Sequence, residues 1–355
     1  MDPAPLLFAP LASRAFGERV AACLGVPLAP LEERDYEGGE HKSRPLVSVR
    51  GRVVYVIQSL SGDEAGSAND RLCRILFLVA ALKDAGAARV TACLPYIAYS
   101  RKDRRTKERD PVNSRYIAQL LEAVGVNHVM VMDVHNVAAF ENAFRCSVDL
   151  LEAAPLLADQ IVEQAGGQPV SIVSPDFGGA KRAQRVQELV AARLGAPVDF
   201  AILEKRRDNG EVTGDLIIGP VTGRHAVVVD DLISAGTTIL RAVQACRAAG
   251  ALSVAAFATH RVFPPGAERL LDLACGAGTV SELLLEPAPQ AHLNGVDLDP
   301  VPGGDPHLLD GGRDHPRDGG DLPVHDVRAP VPGRGGESDG VLDRGASEDA
   351  RLGGV

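Results

Sequence analysis

Positions 227–238, which read VVVDDLISAGTT, are the residues best suited to chemistry: an apolar run ends in Asp230 and Asp231, and small and hydroxyl residues follow. Free backbone N–H groups at a helix start can surround a phosphate, whose charge the helix dipole favours. The two acids can accept hydrogen bonds from vicinal ribose hydroxyls, directly or through a metal ion. This pattern predicts a strand, an acidic loop and a helix start that hold a phosphorylated ribose. The predicted phosphate-binding residues are Ser234, Ala235, Gly236, Thr237 and Thr238.

Two clusters of basic residues follow predicted strands. One begins at Arg101 and places five Lys or Arg residues within positions 101–107, and the other is Lys205-Arg206-Arg207. A guanidinium is suited to two-pronged contact with a phosphate, so each cluster supplies a positive field that the acidic chain as a whole lacks. A solvated charge run or a polar turn is the alternative interpretation, but a position directly after a strand favours function.

The elements that position these residues are short apolar runs alternating with amphipathic stretches, arranged in two successive units. The first unit is predicted to have strands at 53–58, 90–94 and 128–132, with helices at 69–85 and 111–124, the latter capped by Asp110. The second is predicted to have strands at 170–174, 200–203, 226–229 and 253–258, helices at 178–194 and 237–249, and a hairpin arm at 211–218. Such alternation predicts an α/β fold, with parallel sheets flanked by helices and ligands at the carboxyl ends of the strands.

The segment at 227–238 resembles the phosphoribosyl pyrophosphate loop of type I phosphoribosyltransferases. A base phosphoribosyltransferase needs one such unit with a hood, but this chain has two, and the first carries the Arg101 loop and the motif Asp133-Val134-His135. The combination resembles the ribose-phosphate diphosphokinase family over about residues 6–262. The resemblance implies two tandem phosphoribosyltransferase-like domains, an ATP side at 1–147 and a ribose 5-phosphate side at 148–262.

The resemblance assigns ATP binding to residues of the first half. Arg101 falls on the family arginine that binds the ATP phosphates, with Lys102 and Asp103 beside it. Tyr36 falls on an aromatic residue of the adenine pocket, where its ring can stack on the base. Glu40 falls on the family glutamate and can accept a hydrogen bond from the exocyclic amine.

The remaining roles implied by the resemblance concern the reaction itself. His135 matches a histidine near the ATP phosphates and Mg²⁺, and Asp176 matches an aspartate that helps hold ribose 5-phosphate or its metal. These two residues are the predicted metal ligands, although a strand-end histidine read alone is more often structural. Lys205 and Arg207 match the lysine and arginine of the family's catalytic arm. Gly38 departs from the family, which has a polar side chain there in the adenine pocket.

No GxxxxGK[ST] P-loop is present, so ATP phosphates must be held by another route, which the basic loops supply. The resemblance implies in-line attack by the C1 hydroxyl of ribose 5-phosphate on the β-phosphorus of ATP, with release of AMP. Mg²⁺ bridging the phosphates would stabilise the charge of the transition state together with the cations of the site. Members of the family assemble as homo-oligomers, and the same is implied for this chain.

Composition limits the other classes of function. The chain has 355 residues, 45% of them hydrophobic, which is enough for two buried cores. Its net charge of -10 argues against a general nucleic-acid binder. Six isolated cysteines without a CxxC pair indicate neither a zinc site nor a disulfide framework and favour the reducing cytoplasm. We expect neither secretion nor membrane insertion, because no leader and no sufficiently long apolar run is evident.

The character of the sequence changes after about residue 263. Residues 269–278, RLLDLACGAG, and the later Asp297 resemble the first strand, Gly-rich turn and acid of an S-adenosylmethionine-dependent methyltransferase, so 263–300 is interpreted as a fragment of such a fold. Segment 301–355 is rich in Gly and Pro and is expected to be an irregular, disordered tail. We hypothesise a rearranged or frame-shifted reading frame here, which resequencing of the gene tests.

Two alternatives remain open from the sequence. A base phosphoribosyltransferase would use the loop at 227–238 alone, and the second unit and the Arg101 loop argue against it. A catalytically impaired regulatory homologue is favoured by Gly38 and by the altered C-terminal end.

Overall fold

The computed structural model describes residues 4–63, 65–208, 211–262 and 281–282, of which 205–208, 211–215 and 281–282 are described by their backbone. The strands are β1 Leu6–Phe8, β2 Leu31–Asp35, β3 His41–Pro45, β4 Val53–Ile57, β5 Arg89–Leu94, β6 His128–Met132, β7 Ser147–Leu151, β8 Val170–Ser174, β9 Asp199–Asp208, β10 Glu211–Ile218, β11 His225–Ile233, β12 Ser253–Arg261 and β13 Ser281–Glu282. The helices are α1 Arg14–Leu24, α2 Ala68–Asp84, α3 Asn113–Ala123, α4 Val137–Ala143, α5 Ala154–Ala165, α6 Ala180–Leu194 and α7 Thr237–Ala248.

The first sheet is parallel throughout, in the order β1-β4-β5-β6-β7. Helix α2 begins with a capping box formed by Ser67 and Asp70, which satisfies first-turn N–H groups. Its fully buried Leu78 lies in one apolar cluster with Val56 and Val90 of the neighbouring strands. The antiparallel pair β2–β3 lies between β1 and β4 along the chain. The burial of inner strands beneath helices is what a parallel sheet requires.

The second sheet has the order β10-β9-β8-β11-β12-β13 and is parallel except for the antiparallel pair β9–β10. All five residues of β8 are buried. Successive side chains of this strand belong to two different apolar clusters. Val173 lies in the cluster that contains Ile239 of α7, whereas Ile172 lies in the cluster that contains Ile161 of α5 and Val186 of α6. Helices therefore cover both faces of this sheet.

The predicted fold class, α/β with parallel sheets flanked by helices in two phosphoribosyltransferase-like units, is confirmed. The strands predicted at 128–132 and 170–174 and the hairpin arm at 211–218 have the predicted bounds. Sequence reasoning did not predict several elements, namely β1, β2, β3, β7, α1, α4 and α5. The division at residues 147 and 148 stays a prediction.

Two local predictions were wrong. Asp110 does not cap α3, which begins later, at Asn113, behind the apolar residue Val112. Its carboxylate instead accepts hydrogen bonds from within its own loop. The acidic pair Asp230 and Asp231 also does not lie in a loop, because β11 continues through both residues to Ile233 and stays paired with β12.

The predicted methyltransferase-like fragment at 263–300, apart from β13, and the predicted tail at 301–355 lie outside the described residues. Within the part of the chain that is described, no helix is both long enough and apolar enough to cross a membrane.

Candidate active site

The carboxyl ends of β8 and β11 lie side by side, because these strands are parallel neighbours. Helices α6 and α7 begin shortly after those ends, with Gly179 and Gly236 as their N-terminal caps. Strand ends and helix starts thus share one edge of the second sheet, where α/β proteins bind ligands and where first-turn N–H groups can meet an anion.

Cations surround the acidic pair at this edge. Nη1 of Arg182, in the first turn of α6, lies 3.7 Å from Oδ1 of Asp230 and 3.5 Å from Oδ1 of Asp231. Nδ1 of His135, which follows β6 of the first sheet, donates a hydrogen bond of 2.8 Å to Oδ2 of Asp231. The side chain of Asp231 is only 5% exposed. The site therefore combines one residue from the first sheet's strand ends with the acids of the second sheet.

The two acids have opposite electrostatic environments. Burial and the neighbouring Asp231 carboxylate raise the pKa of Asp230 above its usual range. Burial also pushes the pKa of Asp231 upward, but the hydrogen bond from His135 and the charge of Arg182 outweigh it and hold that pKa below its usual range. The same hydrogen bond raises the pKa of His135 and so favours its imidazolium form. Asp231 is consequently the carboxylate best suited to remain charged.

The predicted phosphate loop, positions 234–238, connects β11 to α7. Gly236 has a φ of 76°, in the left-handed region that favours glycine, and it caps α7 without any side chain. The hydroxyl oxygen of Ser234 accepts a hydrogen bond of 2.7 Å from the backbone N–H of Ala235. Thr237 and Thr238 form the first turn of α7, so their backbone N–H groups belong to the set that a helix leaves for an anion.

Asp176 lies in a tight turn between β8 and α6. Its Oδ1 accepts a hydrogen bond of 2.9 Å from the backbone N–H of Gly179, and its carbonyl accepts one of 2.7 Å from the hydroxyl of Ser174. A Cβ on Gly179 would lie 3.2 Å from that hydroxyl oxygen, so the turn favours glycine. Asp176 is thereby fixed at the same sheet edge as the acidic pair.

The basic loop that begins at Arg101 approaches the chain next to His135. Asn136, the residue after His135, donates a hydrogen bond of 2.6 Å from Nδ2 to Oδ2 of Asp103. The opposite side of Asn136 caps α4 by accepting from the N–H of Ala139. Asp103 is therefore connected to the strand end that supplies His135.

Asp110 closes the basic loop into a ring. Its Oδ2 accepts a hydrogen bond of 2.6 Å from Nζ of Lys102, one of 2.7 Å from the hydroxyl of Thr106, and two of 3.0 Å from the backbone N–H groups of Thr106 and Lys107. The hydrogen bond from Lys102 is the largest of the effects that lower the pKa of Asp110. Lys102 thus orders its own loop, and its predicted contact with ATP stays a prediction.

Replacing Asp110 with alanine is expected to open this ring. All four of its hydrogen bonds are lost, and a loop with few buried contacts then opens more often. We expect trypsin to cleave the folded Asp110→Ala variant within 101–109 roughly tenfold faster than it cleaves the wild type. The measurement is limited proteolysis, with the cut sites located by mass spectrometry.

Thr106→Val is the matched control, because it removes the hydroxyl donor and leaves the two backbone donors and Lys102 in place. Its cleavage rate should lie between those of the wild type and Asp110→Ala. Equal rates for all three proteins would show that Asp110 does not hold the loop closed.

The predicted adenine residues lie on the turn between β2 and β3. The backbone N–H of Tyr36 donates a hydrogen bond of 2.8 Å to the carbonyl of Glu40. Tyr36 is 42% exposed, and the guanidinium carbon of Arg34 lies 5.1 Å from the centroid of its ring. Gly38, between them, has a φ of 80° and open space where a Cβ would stand. The turn holds Tyr36 at the surface, where a ring can stack on a base.

The backbone of Lys205 and Arg207 lies in β9, opposite Asp215 and Val212 of β10. Both predicted catalytic residues are therefore on the β9–β10 hairpin at one edge of the sheet. In this sheet β9 lies next to β8, on the side away from β11. Their side chains lie outside the described part of the structure, and their roles stay predictions.

Sequence reasoning missed three contributors to the site: Arg182, Thr259 and His260. The signal for Arg182 was available, since a cation one turn into a helix behind a Pro-Asp turn can face the acids of the neighbouring strand. No local pattern pointed to Thr259 or His260, because their partners lie more than 120 positions away in the sequence, at Asp133 and Met132.

Comparison with known proteins identifies both halves of the chain. Residues 6–125 match the model of the N-terminal domain of ribose phosphate pyrophosphokinase, and residues 149–267 match that of the phosphoribosyl transferase domain. A ribose-phosphate pyrophosphokinase of Granulibacter bethesdensis is 38% identical over 72% of this chain and 79% of its own length. Ribose-phosphate pyrophosphokinase 2 of Enterococcus faecalis is 36% identical over 77% of this chain and 82% of its own.

A solved structure agrees with these matches. The crystal structure of phosphoribosylpyrophosphate synthetase from Mycobacterium smegmatis superposes with a TM-score of 0.70 at 31% sequence identity, covering 80% of this chain and 90% of that one. The two matched domains follow one another in this order along the chain. The chain therefore belongs to the ribose-phosphate pyrophosphokinase family, also called ribose-phosphate diphosphokinases.

Proposed function

We propose that this protein is an Mg²⁺-dependent ribose-phosphate diphosphokinase, which serves nucleotide biosynthesis. It transfers the diphosphoryl group of ATP to the C1 hydroxyl of ribose 5-phosphate and yields phosphoribosyl pyrophosphate and AMP. The observation that carries this proposal is the contact between His135, behind the first sheet, and Asp231, in the second. It brings an element of the proposed ATP half to the acids of the proposed sugar half.

Ribose 5-phosphate is proposed to bind at the edge of the second sheet. Asp231 is held as a charged carboxylate and can accept from the ribose hydroxyls, with Asp230 beside it. The phosphate is proposed to bind the backbone N–H groups at the start of α7, in the loop 234–238. Gly236 caps that helix without a side-chain hydrogen bond to its first-turn N–H groups, which suits an anion.

ATP is proposed to bind along the first half. Tyr36 offers an exposed ring for the adenine, and Glu40 lies across the same turn. Arg101, Lys102 and Asp103 belong to a loop that is closed at Asp110 and connected to Asn136, so it is ordered close to His135. An ordered cationic loop loses little entropy when it binds phosphates.

The reaction transfers a diphosphoryl group, whose β-phosphorus exchanges one oxygen partner for another. The C1 hydroxyl oxygen bonds to the β-phosphorus, the bond from that phosphorus to the bridging α,β-oxygen breaks, and AMP leaves with the electron pair while the hydroxyl proton passes to solvent. Such a transfer depends on alignment and on charge stabilisation rather than on a covalent nucleophile. Lys205 and Arg207 are proposed to stabilise the charge on the transferring oxygens. Where Nε2 of His135 does not bind Mg²⁺, the protonated ring, favoured by Asp231, can instead donate from Nε2 to a phosphate oxygen.

The donor chemistry of the site suits Mg²⁺. This ion usually takes one or two carboxylates together with substrate phosphates and water. Asp176 provides a carboxylate at the same edge as the acidic pair, and Nε2 of His135 is the ring atom that its bond to Asp231 leaves available. Among the described residues, no group of three or more His, Cys, Asp or Glu side chains forms a metal cage. Bound Mg²⁺ would neutralise phosphate charge, with Asp176 and His135 as its proposed ligands.

Two further features are proposed for the protein as a whole. We propose that it acts as a homo-oligomer, as the family resemblance implies. We also place it in the cytoplasm, because cysteines that remain unpaired in the described residues suit a reducing compartment.

The proposal is tested by incubating the full chain with ATP, Mg²⁺ and ribose 5-phosphate and separating the nucleotides by chromatography. We expect AMP and phosphoribosyl pyrophosphate in equal amounts, with no ADP. A folded protein that releases no AMP would instead be a catalytically impaired homologue. Consumption of added phosphoribosyl pyrophosphate only when a base is present would identify a base phosphoribosyltransferase.

A further inference from the structure

The turn behind β6 is held by the second sheet at three consecutive points. We propose that Thr259 and His260, at the end of β12, are positioning residues that fix Asp133 in this turn and thereby aim His135 at Asp231. This inference rests on the proposed function only in taking His135 to act in the phosphoryl transfer. The positioning itself is argued from contacts within the described residues.

Asp133 has an unfavourable backbone conformation. Its φ is 38°, which is in the left-handed region that non-glycine residues rarely adopt, and only two other non-glycine residues of the described part, Tyr99 and Arg109, have a positive φ. Such a conformation persists only when the surroundings impose it, and it is concentrated at functional sites. The contacts of Asp133 therefore show what imposes it.

The side chain of Asp133 is held by β12 of the second sheet and by the start of α5. Its Oδ2 accepts a hydrogen bond from the hydroxyl of Thr259 and another, of 3.3 Å, from the backbone N–H of Ala153. Its own N–H donates to the carbonyl of Leu151 at 3.0 Å. Thr259 is only 4% exposed, so few water molecules can replace its hydroxyl.

The backbone of the turn is held by His260. Its Nε2 lies 2.9 Å from the carbonyl oxygen of Met132 and 3.1 Å from that of Asp133. Carbonyl oxygens only accept, so Nε2 carries the hydrogen and donates to both. The ring packs edge-on against Tyr96, with centroids 5.1 Å apart. One imidazole thus binds two successive carbonyls of the strained turn.

The third point is His135 itself. It lies two residues beyond Asp133 and donates to Asp231 of β11. Asp231 lies between the register pairs Asp230–Ala258 and Leu232–His260, so it is beside Thr259 on the neighbouring strand. Adjacent positions of β11 and β12 therefore bind both ends of the same short turn. If Asp133 loses its contact with β12, its φ can relax to an ordinary value. His135 is then no longer held in position to bind Asp231.

A matched pair of Thr259 variants tests this positioning. Thr259→Val removes the hydroxyl and keeps the shape, and it is expected to lower kcat by roughly 10- to 30-fold while the KM for ATP changes less than about twofold. Thr259→Ser keeps the hydroxyl and should retain most of the turnover. In a His135→Ala background, Thr259→Val should cost less than about twofold more, because the residue acts through His135. An equal loss in both backgrounds would overturn the proposal.

A readout without turnover separates this inference from the proposed function. In the full chain labelled with ¹⁵N-histidine, we expect His260 to show the Nε2–H tautomer and the His135 ring signals to shift in Thr259→Val. His260→Met should shift them too, whereas His260→Gln, which retains a donor near the position of Nε2, should restore them. Unchanged His135 signals in both Thr259→Val and His260→Met would refute the positioning. If the wild type shows the Nε2–H tautomer of His260 and the variants show the expected His135 shifts, but the wild type releases no AMP, only the proposed function is refuted.

Discussion

Replacing Asp231 with asparagine is expected to lower kcat/KM for ribose 5-phosphate by about 100-fold, the size of effect that one preorganised polar group contributes. The change keeps the shape of the side chain and removes its charge. His135 loses the ionic partner that raises its pKa, and Arg182 loses one of its two carboxylates. Steady-state kinetics at saturating ATP and Mg²⁺ measure the effect. Circular dichroism confirms that the variant is folded.

Asp230→Asn is the matched control for this prediction. Burial and the adjacent carboxylate already disfavour the charge of Asp230, whereas its neighbours stabilise the charge of Asp231. Neutralising Asp230 should therefore reduce kcat/KM about tenfold less than neutralising Asp231, and it should raise the melting temperature by relieving the repulsion between the acids. Equal losses for the two variants would contradict the assignment of Asp231 as the charged member of the pair.

The sequence predicted the elements whose pattern is decided locally. The strand at β8 is a run of buried residues bounded by Pro169 and Pro175, and its predicted bounds are those of the structure. Helix α6 ends before Gly195, whose φ of 63° is the left-handed value that ends helices. In such segments local preference and tertiary environment agree, so periodicity alone was sufficient.

Local rules failed where a distant or competing partner decided the structure. Asp110 followed by Pro111 is a typical helix start. Its carboxylate instead accepts four hydrogen bonds from Lys102, Thr106 and Lys107, so it does not cap the helix. The acids of β11 resembled a loop because they are polar. They remain in a strand because Arg182 and His135 partly neutralise them there.

The candidate site was predictable by residue type more than by arrangement. Asp176, His135 and the acidic pair were predicted from motifs, and in the structure they lie at or near the carboxyl ends of strands. That Asp231 binds His135, which lies 96 positions earlier in the chain, could not be read from either motif. The contact depends on how two sheets pack, which single-sequence patterns do not encode.

Replacing Arg182 with methionine is expected to destabilise the protein by about 1–3 kcal/mol, below the 3–5 kcal/mol typical of fully buried pairs because the group retains some solvent. The guanidinium is 19% exposed and lies within 3.7 Å of both acids. Methionine fills similar volume without charge, so two adjacent, largely buried carboxylates lose a shared counter-ion. The KM for ribose 5-phosphate should also rise by roughly tenfold, because the repulsion between the two acids is no longer offset and they lose their positions. Urea unfolding and steady-state kinetics measure these effects.

The double variant Arg182→Met/Asp230→Asn separates charge from packing. If Arg182 acts by neutralising the acidic pair, removing the less stable of the two charges should restore at least half of the lost stability, giving strong coupling in a double-mutant cycle. If Arg182 acts only by packing its aliphatic stem, the effects of the two substitutions on the free energy of unfolding should simply add. Arg182→Lys should lie between the wild type and Arg182→Met, because an ammonium retains the charge but contacts two carboxylates less well than a planar guanidinium. Additive effects on stability together with a wild-type KM in Arg182→Met would rule out the electrostatic role of Arg182.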